Sequence, residues 1–199
     1  MNLSNKEVNF KNYLFLGITI EILIIFFCIY NYTSFEEIIR HSARYSGRAS
    51  FITYIGCFYY FISNYYLPSP ISKSNLQKFL LVFCIMHLIH FCFLAFNVFL
   101  NDIELIPYKL GGGFLAYLMI VFYPFFMHKS FIPNYSSIIY FYYVGLVMAL
   151  TFLARIKGEF TGAPVSIFHY FGILMVLIFY FAFVIETFKK KKKKLNKTS

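Results

Sequence analysis

Three imidazoles and one carboxylate sit in stretches otherwise made of fat-soluble side chains. His87 and His90 interrupt LLVFCIMHLIHFCFLAFNVF at 80–99, His169 lies in SIFHYFGIL at 166–174, and Glu21 falls in the first apolar run. An ionisable group at membrane depth is costly, and it marks a functional site by default. A single membrane histidine is usually an interhelical hydrogen-bonding residue, but three in 199 residues shift the balance towards a shared task. His87 and His90 are three residues apart, about 60° around a helix, and so share one face. Two imidazoles from facing helices meet the axial demand of a haem b iron, one nitrogen above the macrocycle and one below, and bundle cores commonly supply such pairs.

The elements that must position these groups follow from composition. Apolar residues make up 60% of the chain and charged residues 13%, about half the charged share of an ordinary soluble domain. The unit of organisation is therefore the apolar span of about 20 residues that crosses hydrocarbon. Six are predicted, at 13–32, 51–67, 79–100, 110–127, 137–154 and 165–188, with the start of the second lying nearer Tyr45 if it is extended. Helices are expected, because an isolated span must satisfy its own backbone and no alternating barrel pattern is present. The fold class is an all-α membrane protein, a six-transmembrane-helix bundle forming one domain over 1–188, followed by a basic tail at 189–199. The first span lacks a small-residue cleavage site and reads as retained.

Basic residues set the expected orientation. With the N-terminus inside, twelve Lys fall on the cytoplasmic side, namely Lys6, Lys11, Lys73, Lys78, Lys129, the six at 189–194 and Lys197. Six cations fall outside: Arg40, Arg44, Arg48, Lys109, Arg155 and Lys157. Both termini are thus expected to be cytoplasmic. The net charge of +10 is concentrated in the tail, which suits anionic membrane lipids better than nucleic acid, and no nucleic-acid partner is expected. Cys28, Cys57, Cys84 and Cys92 lie inside spans with no CxxC pair and read as packing residues. Trp is absent, and Tyr59, Tyr60, Tyr65 and Tyr66 are expected to serve the interface.

Depth makes a ligand pairing explicit. Span three runs outward and puts His90 about 15 Å of helix from its inner end, with His87 one turn deeper, while span six runs inward and puts His169 in its outer third. His90 and His169 are the expected pair, at the outer half of the membrane. Haem propionates need cations at the membrane face, and RHSARYSGRAS at 40–50 offers Arg44 and Arg48, four apart on one helix face. Arg40 reads as an interfacial anchor. Gly111, Gly112 and Gly113 open span four on the same side and would permit close approach of a helix or a ring. His128 falls near the inner interface and His41 in a connecting loop. Glu21 could carry a proton beside a quinone or serve a structural role.

Taken together, SARYSGRASF at 42–51, LQKFLLVFCIMHLIHF at 76–91, GGGFLAYL at 111–118 and SIFHYFGIL at 166–174 resemble the ferric reductase-like transmembrane domain. That six-helix haem b domain occurs in membrane ferric reductases, NADPH oxidases and the haem-binding membrane subunit of the bacterial methionine sulfoxide reductase system. The resemblance implies transmembrane electron transfer by haem b in a bacterial inner or cytoplasmic membrane, as the membrane subunit of an oxidoreductase. Arg48 matches the arginine that begins the second helix, His87 or His90 the third-helix ligand, and His169 the later-helix ligand. No flavin or nicotinamide domain is apparent, so quinol or a redox partner protein would supply electrons. A second histidine pair is not evident, which makes one haem the expectation and leaves a second open. The competing reading is a small non-haem transporter or an accessory membrane subunit. The inverted repeat expected of a transporter is not visible between 1–100 and 101–199.

Overall fold

The computed structural model describes residues 10–65, 69–100, 107–133, 135–159 and 164–195, with the side chains of all but 10, 70, 107–110 and 190–195. Tyr66, Lys6, Lys197 and the side chains of Lys109 and of the Lys at 190–194 lie outside this set. The described chain forms six helices: α1 Phe10–Asn31, α2 Phe35–Asn64, α3 Pro70–Leu100, α4 Pro107–Phe126, α5 Ser136–Ile156 and α6 Ile167–Leu195. No strand occurs among the described residues. Stretches within α1, α3, α5 and α6 are long and apolar enough to cross a membrane, whereas the apolar part of α4, Gly111–Phe126, is shorter. Phe15, Phe26, Phe99, Ile167 and Phe181 are exposed on the outside, so the bundle presents to its surroundings the apolar surface that lipid favours. These features make the chain a multi-pass membrane protein of helical type.

Three helices extend seven or more residues beyond the predicted spans, each for a local reason. The segment RHSARYSGRAS is helical, because α2 begins at Phe35 rather than at 51. Ser34 caps it, accepting a hydrogen bond from the Glu37 N–H at 3.2 Å, and Glu36 and Glu37 complement the helix dipole in the first turn. His41 therefore lies in a helix and not in a loop; its ring stacks on Tyr32 at 3.7 Å. Pro70 opens α3, ahead of the predicted start at 79, in the first-turn position that its ring suits. The α6 helix continues to Leu195, into the predicted tail, where lysines are good helix formers and suit a helix C-terminus.

Packing follows a ring. The α2 helix packs along α3 and α6, α4 bridges α3 and α5, α5 meets α6, and α1 lies in the groove between α2 and α3. Ser42, Ala43, Ser46, Gly47 and Ser50 make one face of α2 small enough for α1 and α3 to approach closely. The second half of α2 faces a different filling, the buried aromatic cluster of Tyr54, Phe58, Phe61, Phe83, Tyr140 and Phe141. Phe58 and Phe141 stack at 4.9 Å, and the Tyr54 hydroxyl donates to the Phe141 carbonyl at 2.5 Å. This plug occupies the half of the bundle nearer the chain termini. The ionisable residues occupy the other half, called distal below.

Candidate functional site

The spacing of His87 and His90 places them on one face of α3 as expected, with ring centroids 5.6 Å apart. Their surroundings differ. His87 Nδ1 is 2.7 Å from Ser50 Oγ on α2, and its ring stacks on Tyr117 of α4 at 4.8 Å. The His87 side chain lies deep in the bundle yet is only partly covered, and Nε2 makes no hydrogen bond, so that nitrogen faces uncovered space. Gly113 lies one turn from Tyr117 on the same side of α4, and a Cβ there would meet nothing within 4 Å. That side of the Gly113 backbone is therefore open. The glycines do not serve close helix packing, since Gly111 is equally open and Gly112 reaches only the Tyr143 hydroxyl.

His90 is wedged instead against α2. A Cβ on Gly47 would stand 2.7 Å from His90 Cε1 and 3.1 Å from Nε2, and the imidazole also faces the Ala43 carbonyl. Its Nδ1 is buried without a hydrogen bond. Gly47→Ala is expected to displace this ring and to lower stability by about 1–3 kcal/mol, the usual cost of overpacking. Unfolding by SDS titration of the detergent-purified protein reads that loss, and an unchanged midpoint would show that the ring moves aside freely.

His169 is 5% exposed at the start of α6. Its Nδ1 accepts a long hydrogen bond, 3.3 Å, from the Ser166 N–H, its ring lies against Phe152, and Nε2 makes no hydrogen bond and is uncovered. Phe152 in turn fills the space that a side chain at Gly172 would take. Arg48 Nη2 donates to Ser166 Oγ at 3.0 Å, and its guanidinium lies over the rings of Phe168 and Tyr45 at 5.2 and 5.6 Å. Phe51 packs on Phe152 and Phe168, which puts His169 level with the Arg48 to Phe51 turn of α2. Ser50, the partner of His87, belongs to that same turn. His169 thus lies near the depth of Ser50 and His87, while Arg155 stands as a neighbouring charge to both His90 and His169.

Arg44, Arg48 and Arg155 act on one another and on His169 as neighbouring charges, so the distal half is strongly electropositive. Neither Arg44 nor Arg48 has a carboxylate partner among the described residues. Burial first, and then the charge of Arg44, hold the His41 imidazole below its ordinary range, leaving it neutral at physiological pH. Glu21 is buried against Ser46 on the α1 side of α2. His128 is exposed in the turn after α4, away from the other imidazoles. The four cysteines are free, three of them buried and Cys92 exposed. Ser50, Ser166, Tyr117 and Arg155 are the site residues that sequence reasoning did not select; each is polar within or beside an apolar run, which is the one signal they carried.

Neither the protein-family models, nor the curated proteins, nor the solved structures contain a match to this chain.

Proposed function

We propose that the chain is a haem b-binding electron-transfer protein with six membrane spans and cytoplasmic termini, in which His87 and His169 hold the iron. The observation that carries this reading is the state of those two imidazoles: each has Nδ1 engaged, by Ser50 or by the Ser166 backbone, and each leaves Nε2 bare. A metal-ligating histidine is typically oriented by donating from its other nitrogen, as His87 Nδ1 can to Ser50 Oγ. For His169 the Nδ1 contact must break, since a ligating Nε2 requires the proton on Nδ1 and the Ser166 N–H cannot accept it; its length of 3.3 Å makes it a weak bond to give up. His90, turned to Gly47 and Ala43, is less prepared than His87 and acts as packing between α2 and α3.

Haem b bound at this position supplies one-electron transfer. The residues of the chain supply the rest. Ser50 fixes the His87 ring and Tyr117 stacks on it, Gly113 leaves room, and the aromatic plug keeps water out from the terminal side. Arg44 and Arg48 offer guanidiniums to carboxylates at the distal, outer membrane face, where Arg captures such groups in bidentate fashion. Quinol or a partner protein is the electron source in this reading, and the bacterial inner or cytoplasmic membrane its location.

Arg48→Ala tests the electrostatic part. Removing a cation near the iron disfavours the reduced state, so the haem midpoint potential should fall by tens of millivolts, on the order expected for one charge at ~10 Å through an effective dielectric of ~20. Arg48→Lys should recover part of the shift in a spectroscopic redox titration. A potential unchanged in Arg48→Ala would remove Arg48 from the site.

A further inference from the structure

Buried polar atoms without a hydrogen bond are concentrated in one part of the molecule. Seven occur among the described residues: Glu21 Oε1 and Oε2, His41 Nδ1, Ser42 Oγ, Ser46 Oγ, His90 Nδ1 and the Tyr140 hydroxyl. The first five lie along α1 and the distal part of α2 that faces it. Ser46 stands beside the Glu21 carboxyl and Ser42 beside Cys28, one turn further towards the distal end, where His41 stacks on Tyr32. A hydroxyl within a helix ordinarily bonds back to the carbonyl four residues earlier, as Thr19, Thr53 and Ser63 do here. Ser42 and Ser46 do not, and their hydroxyls are left for groups on α1.

Glu21 is 1% exposed; Ser46 from α2 stands beside its carboxyl, the apolar Ile85 side of α3 packs one turn away at Gly17, and no charged group among the described residues acts on it. An ionised carboxylate in this setting is uncompensated and costs several kcal/mol. Neutrality needs a bound cation or a proton. Among the described residues no group of three or more His, Cys, Asp or Glu side chains gathers there to hold a metal ion. A proton needs no such ligand set, and it turns one unpartnered carboxyl oxygen into a donor for Ser46.

We propose that Glu21 is a proton-binding site in the membrane interior, reached from the distal face along His41, Ser42 and Ser46. Each of these side chains can both donate and accept, as passing a proton requires. The site rests on the packing of α1 against α2 and stands whether or not haem binds. Coupled to electron transfer, it would let the chain take up or release a proton on the distal side only, because the aromatic plug closes the other half.

Infrared difference spectra of the full-length protein in detergent test this directly. A carboxylic acid C=O band should be present, should be absent in Glu21→Gln, and should shift when H2O is exchanged for D2O. In the double variant Ser42→Ala, Ser46→Ala that shift should slow by tenfold or more. Absence of an acid band belonging to Glu21, its loss on adding sodium or potassium, or exchange that is equally fast in the serine variant would overturn the proposal. Should Glu21→Gln fail to fold, the parent protein still decides the matter. An apolar carbodiimide, which attacks protonated carboxyls in membranes, should label Glu21 as mapped by mass spectrometry and spare the exposed Glu36 and Glu37; an unlabelled Glu21 would refute a proton-bearing carboxyl.

Discussion

His169→Ala purifies without haem. The haem-to-protein ratio, measured as the pyridine haemochrome, should fall at least about tenfold, since even residues that only orient a ligand cost 10–100-fold in metal affinity. Among the described residues α6 offers no other imidazole, and the Arg48 to Phe51 turn of α2 offers arginine, alanine, serine and phenylalanine, none of which replaces an axial nitrogen at haem b iron. His87→Ala should behave alike. His90→Ala should keep its haem and lose stability instead, because that ring fills the space over Gly47. A normal haem spectrum in His169→Ala would remove α6 from the ligand set, and haem loss confined to His90→Ala and His169→Ala would restore the pairing by depth read from sequence.

The second large effect concerns the fold. Gly145→Val should destabilise the protein by about 3–5 kcal/mol, adding the overpacking cost of about 1–3 kcal/mol to the loss of two hydrogen bonds at about 1 kcal/mol each. A Cβ at Gly145 would collide with the Tyr54 hydroxyl and stand 2.7 Å from that of Tyr180. Those hydroxyls are already committed, Tyr54 to the Phe141 carbonyl and Tyr180 to the Tyr142 carbonyl. Tyr54 is fully buried and Tyr180 is stacked on Tyr142 at 4.3 Å, so neither can swing aside without opening the α2–α5–α6 contact. Thermal or SDS unfolding of the purified protein reads the change, and parent-like stability in Gly145→Val would mean that the contact yields.

What sequence conveyed and what it withheld have separate physical origins. Spans were legible in α1, α3, α5 and α6 because a long apolar run is a local property. The distal half of α2 was not, since Glu36, Glu37, Arg40, Arg44 and Arg48 lower its hydropathy to that of a loop, although a serine cap and a face of small residues make it a packed helix. The shared face of His87 and His90 came directly from a spacing of three. Their different fates did not, because Ser50 lies 37 residues from His87, and the Ser166 that engages Arg48 is 118 residues away. Glu21 was visible as an anomaly, whereas the unpartnered serines that face it become meaningful only once α1 lies against α2. The three glycines of α4 read as permitting close approach of a helix or a ring; no helix comes close to two of them, a distinction that depends on which helix stands opposite.

The most direct measurement is a dithionite-reduced minus oxidised visible spectrum of the protein purified in detergent after expression with ample haem. Haem held by His87 and His169 predicts the sharp α band of a low-spin, bis-histidine b-type centre and a stoichiometry near one. A folded, monodisperse and colourless protein would contradict it and turn attention to transport or partner binding.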